Sequence, residues 1–88
     1  MTRNDVLDQA REAVCIRGLA YDGAEDSFVR IARLWTAHLV NQGKVVAIGP
    51  QDVAMMMVLL KVARLEQSPN HEDSWVDIAG YAACGGSM

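Results

Sequence analysis

Residues 49–70 read GPQDVAMMMVLLKVARLEQSPN, and how this stretch is read decides the fold. Pro50 presets a helical first turn, where an N–H would lack a partner anyway, and the acid Asp52 beside it suits the positive end of a helix. Pro69 forces a stop, because the residue before a proline is pushed out of helical geometry. Between them Val53, Met55, Met56, Met57, Val58, Leu59, Leu60, Val62 and Leu65 wrap almost the whole circumference at about 100° per residue. Only the arc of Met57, Lys61 and Arg64 interrupts the apolar surface. The run VAMMMVLL stops at Lys61, well short of the ~18 apolar residues that would cross a bilayer. A helix over 50–67 that is apolar nearly all round is expected to be buried on most sides, as the central rod of a helical domain.

Reading outward from it, the SPNHE linker is short, so the helix expected over about 72–84 must turn back and lie antiparallel to it. In that last segment Trp75, Val76, Ile78, Ala79, Ala82 and Ala83 make the expected core face, with Asp73, Asp77, Gly80, Tyr81 and Cys84 opposite. The closing GGSM reads as a frayed tail. On the other side of the central rod, KVVAI is a short extended link that could also pass as a brief strand. Before it, EDSFVRIARLWTAHLVNQG over about 26–42 gathers Phe28, Ile31, Ala32, Trp35 and Leu39 into one stripe, with Asp26, Arg30, Arg33 and Ala37 facing away. A first helix over about 4–17 carries Val6, Leu7, Ala10, Ala13, Val14 and Arg17 on one arc, with Asn4 as the expected N-cap and Asp5 in the first turn. GLAYDGAE, with its two glycines and Asp-Gly pair, reads as the connection. The expected architecture is all-α: a compact four-helix bundle with short loops, one domain over 1–88.

Composition bounds what such a domain can do. Of 88 residues, 51% are hydrophobic but only 6% aromatic, so the apolar mass is aliphatic side chains and five Met. A chain this short buries only about 60–65% of the surface its unfolded form exposes. The apolar surplus therefore points to a homo-oligomer. A net charge of −3 without any cluster of Lys or Arg excludes the basic stripe that duplex nucleic acid requires. Cys15 and Cys84 are isolated thiols with no CxxC spacing, and MTRNDVLDQA lacks the apolar core of a signal peptide, so a cytoplasmic setting is expected, with no membrane partner.

The groups that could carry chemistry sit at one end of the last two helices. Asp73 and Asp77 are four apart, so their carboxylates point the same way and repel unless a counter-charge lies between them. Oxygen-only ligands suit Mg²⁺ or Mn²⁺. Lys61 and Arg64 on the preceding helix face the same region and could hold phosphate oxygens, with Tyr21 and Tyr81 as further ligand contacts. The plain alternatives are a structural salt bridge and a solvated acidic face. His38 and His71 lack partners at zinc-ligand spacing, and the Met run reads as adaptable core filling.

Three blocks, YDGAEDSFVRIARLW (21–35), PQDVAMMMVLLKVARL (50–65) and HEDSWVDIAGYA (71–82), resemble a small domain family of unknown function encoded by bacteriophages and prophages. The resemblance runs from about Arg17 to Ala83. EDSWVDIAGY is also distantly similar to the last acidic block of MazG-like all-α nucleoside triphosphate pyrophosphatases, where acids on two helices hold Mg²⁺; Glu72, Asp73 and Asp77 stand where such acids are expected. The second helix departs from that family, carrying Arg30, Arg33 and His38 in place of an ExxE. These resemblances imply a bacterial host cell and a phage-type protein that binds a nucleotide-like or other phosphate-bearing ligand, as a degenerate pyrophosphatase. The alternative is a non-enzymatic accessory or counter-defence protein that binds a host protein or sequesters a signalling molecule.

Overall fold

A computed structural model describes residues 1–20 and 24–88, and the side chains of 1–15 and 26–88. Four helices fill it: α1 (Arg3–Ala20), α2 (Ala24–Asn41), α3 (Pro50–Gln67) and α4 (Glu72–Gly86). The chain is all-α, and no strand occurs among the described residues. The helix starts follow from local chemistry. At α1 the cap is Thr2, not Asn4: the Asp5 backbone N–H donates to Thr2 Oγ1 at 3.1 Å, while the Thr2 N–H donates to Asp5 Oδ2 at 2.9 Å, a reciprocal arrangement that satisfies two orphan donors. At α3, Pro50 opens the helix and the Gly49 N–H donates to Asp52 Oδ2 at 2.9 Å.

α3 packs most extensively on α4, α4 packs in turn on α1, and α2 lies on the other flank of α3; among the described residues α1 and α2 barely touch. The ring of four helices is thus loosely closed along one edge. Its radius of gyration is 14.2 Å, against about 12 Å for a domain of this length. Phe28 and Ala32 of α2, Val53 and Ala54 of α3 and Cys84 of α4 form the core, with Val14, Ile31, Trp35, Ile48, Met57 and Tyr81 against them. The α2 stripe expected from sequence therefore faces inward. The KVVAI link is tied to α2 at both ends, the Lys44 N–H donating to the Leu39 carbonyl at 3.1 Å and the Ile48 N–H to Thr36 Oγ1 at 2.9 Å.

Three expectations are corrected. The central rod is not buried on most sides: its neighbours all lie on one side, so Val53, Ala54 and Leu65 are buried while Met55, Met56, Leu59, Leu60 and Val62 face out. On α4 the buried positions are Ser74, Val76, Cys84 and Gly85, whereas Trp75, Ala82 and Ala83 are exposed. Small residues chose that face. A Cβ on Gly85 would lie 3.0 Å from Ala54 Cβ and one on Gly80 3.8 Å from Val14 Cγ2, so α4 approaches its neighbours more closely than a large side chain would allow. Lastly, the GG of the expected tail completes α4, and the Gly85 carbonyl accepts from Gln51 Nε2 at 3.0 Å.

Candidate functional site

The antiparallel packing of α3 and α4 places Lys61 opposite Asp77. Lys61 Nζ lies 2.9 Å from Asp77 Oδ2, with side-chain exposures of 12% and 26%. The ammonium is thus mostly withdrawn from water, its stem laid along the helix interface, and the carboxylate supplies the counter-charge its burial demands. Arg64 and Asp73, which the sequence placed beside this pair, are both exposed, and among the described residues no ion pair engages either. Of the four charges expected to share a crevice, one cation and one carboxylate meet.

The surroundings define what this pair can do. One of the two Asp77 oxygens, Oδ2, already faces an ammonium. Among the described residues no three His, Cys, Asp or Glu side chains converge as a metal site. Tyr81 is half-buried one turn from Asp77, its ring 6.1 Å from that of Phe28 at a tilt of 35°, which is ordinary aromatic packing at the core edge. Tyr21 lies outside the described residues. His71 is the N-cap of α4, its Nδ1 accepting from the Ser74 N–H at 3.2 Å and lying 2.7 Å from Ser74 Oγ, which fixes Nδ1 as an acceptor and satisfies the fully buried serine. Burial pushes the Cys84 thiol up, so the core cysteine stays a neutral packing group.

The feature that sequence reading missed is the outward arc of α3. Met55, Met56, Leu59, Leu60, Val62 and Ala63 form one stripe at helical spacing, bounded by Asp52 in the first turn and Glu66 in the last. Leu59 is 57% exposed and Met55 61%. The same apolar letters were legible, but a helix apolar all round carries no signal of which side its neighbours will take. No helix among the described residues is long and apolar enough to cross a membrane.

The chain belongs to the family described as a domain of unknown function (DUF6378), whose model matches residues 5–88. Its relatives include the Gene 55 protein of Mycobacterium phage L5, 47% identical over 66 residues that make up 75% of this chain and 40% of that protein. The Gene 55 protein of Mycobacterium phage D29 is 37% identical over 80 residues, 90% of this chain and 50% of that protein. The chain therefore spans half or less of the length of the curated relatives it matches. No solved structure matches it.

Proposed function

We propose that this phage-type domain is a protein-binding accessory module that works through the outward arc of α3. The observation that carries this reading is the stripe of six apolar side chains from Met55 to Ala63, left uncovered on a helix whose opposite arc is core. Contiguous apolar surface of this kind marks interaction sites, and methionine lets such a surface mould itself to a partner. Phage relatives suit a partner in a bacterial host. A photo-crosslinking side chain at position 59 tests it: a discrete adduct, to whichever protein seats there, is expected in bacterial lysate, and none from position 8 on the polar arc of α1. Equal, smeared labelling from both positions overturns it.

A second reading keeps the phosphate-bearing ligand, with Lys61, Arg64, Tyr21 and Tyr81 as contacts and Asp73 and Asp77 as Mg²⁺ or Mn²⁺ ligands, in the manner of a degenerate MazG-like pyrophosphatase. It is favoured by the one place where α3 and α4 join opposite charges, Lys61 and Asp77, with an exposed Arg64 on the same stretch of α3. It requires Lys61 to exchange Asp77 for phosphate while the cation takes the carboxylate. Nucleoside triphosphate with Mg²⁺ or Mn²⁺ should then raise the melting temperature, and Lys61→Met should abolish the rise. No rise with any nucleotide ends this reading.

A further inference from the structure

We propose that the partner seated on the outward arc of α3 is a second copy of this chain, an inference that rests on the protein-binding reading. The first support is area. The accessible surface is 6357 Å², roughly a quarter more than the ~5,100 Å² expected of a compact monomer of this size. The excess exceeds the ~800 Å² that each partner contributes to a standard stable interface. It comes with few buried large side chains: among the described residues Val53 and Ser74 are the largest that are fully buried, which is a thin interior.

The second support is the make-up of the stripe. Between Asp52 and Glu66 its exposed positions are Met55, Met56, Leu59, Leu60, Val62 and Ala63, with one charge, Arg64, beside them at the edge of the arc. Partners that meet transiently present surfaces about as polar as any other, whereas permanent homodimer interfaces resemble a domain core cut in half. The stripe is of the second kind. It is also self-complementary. With a two-fold axis near Leu59, antiparallel α3 helices set Met55 over the small Ala63 and Met56 over Val62, large against small at each end, as an isologous contact requires. Asp52 and Glu66 then fall at the solvated rim, where salt screens their repulsion.

Sedimentation velocity on the full chain, from about 1 to 100 μM, tests the proposal. A concentration-dependent dimer is expected, which Leu59→Glu weakens by at least about tenfold, as charge placed at the centre of an apolar interface does. Val45→Glu, on the fully exposed link, should leave the dimer constant unchanged. Circular dichroism separates dissociation from unfolding: Leu59→Glu should stay helical as a monomer. If it unfolds, Ala63→Glu at the edge of the stripe replaces it with the same expectation. A wild-type monomer at 100 μM overturns self-docking. If position 59 still crosslinks a different protein in lysate, the binding-module reading stands without it; if neither occurs, both fall. A dimer indifferent to Leu59→Glu and Ala63→Glu overturns the assignment to α3.

Discussion

The two arcs of α3 are written in nearly the same letters and meet opposite fates. Val53, Ala54, Met57, Val58 and Leu65 are covered by α2 and α4, while Met55, Met56, Leu59, Leu60 and Val62 are not. Hydrophobicity is thus no guide to which arc is interior. What distinguishes them is the partner: opposite the inner arc stand Phe28 with the small Ala32, Cys84 and Gly85, which let the helices draw together, and burial follows from that fit rather than from any extra apolar content.

The sharpest contrast comes from putting the same charge on each arc. Val53→Asp buries an unpaired carboxylate at a position with 0% exposure and should cost about 3–5 kcal/mol, enough to abolish cooperative unfolding in a domain this small. Leu60→Asp, half exposed, should change the stability of the monomer by no more than about 0.5 kcal/mol. Urea denaturation followed by circular dichroism at low protein concentration, where association contributes little, reads both. Equal costs would mean that the outer arc is already covered within one chain.

The Lys61–Asp77 pair comes next, because it joins the inner arc to α4. Removing either partner strands a largely buried charge, so Lys61→Met or Asp77→Leu alone should cost about 1–2 kcal/mol, below the fully buried case because Asp77 keeps some water. The double substitution, which leaves two apolar groups in contact, should recover most of that loss. A double-mutant cycle with additive losses would show that the 2.9 Å contact contributes nothing to folding.

These helices also show what a sequence of this kind can and cannot disclose. Element type was legible throughout, because Pro50, Pro69 and the apolar spacing leave little choice but helix, and the Phe28–Ile31–Trp35 stripe of α2 points inward as its 3.6-residue period requires. Helix ends were less so: α1 is capped by Thr2, two residues earlier than expected, and α4 runs on through two residues of poor helix propensity, Gly85, which packs on Ala54, and the exposed Gly86. The face of α4 was misread in part: Val76 is buried as expected, but apolar spacing gave Trp75, Ala82 and Ala83 to the core, whereas close approach favoured Ser74, Cys84 and Gly85. Of the charged groups, Lys61 and Asp77 meet because antiparallel packing follows from a short linker. Arg64 and Asp73 stay apart because helical spacing gives angle without depth.

Two glycines at the end of α4 isolate that close approach. A Cβ on Gly86 meets nothing within 4 Å, whereas one on Gly85 lies 3.0 Å from Ala54 Cβ, an atom fixed to the backbone of α3. Both substitutions gain the same helix propensity. Gly86→Ala should therefore stabilise by about 0.5–1 kcal/mol, while Gly85→Ala should lose that gain to overpacking and end about 1 kcal/mol less stable than wild type. Melting curves of the two variants that coincide would mean that α4 can move away from α3 at no cost. At the other end of the same helix, His71→Ala should cost about 1 kcal/mol and His71→Asn much less, since an asparagine oxygen can accept from the Ser74 N–H in place of the imidazole.

The cap of α1 is exposed to water, and it should show the smallest effect. The Thr2 backbone N–H, and secondly its hydroxyl, hold the Asp5 carboxyl below its ordinary value of 3.8, because both favour the charged form. A carboxyl whose folded value is depressed binds its proton more weakly in the folded chain than in the unfolded one. Its contribution to stability is therefore complete above 3.8 and disappears as pH falls through the lower folded value. In a ¹³C-detected titration the Asp5 side-chain carbonyl should turn below pH 3.8, and Thr2→Val, which removes the hydroxyl but keeps the backbone donor, should move that midpoint only part of the way back. A wild-type midpoint at or above 3.8 would mean that α1 frays at Thr2 in solution, and the helix start would then belong further along, at the Asn4 that its sequence suggests.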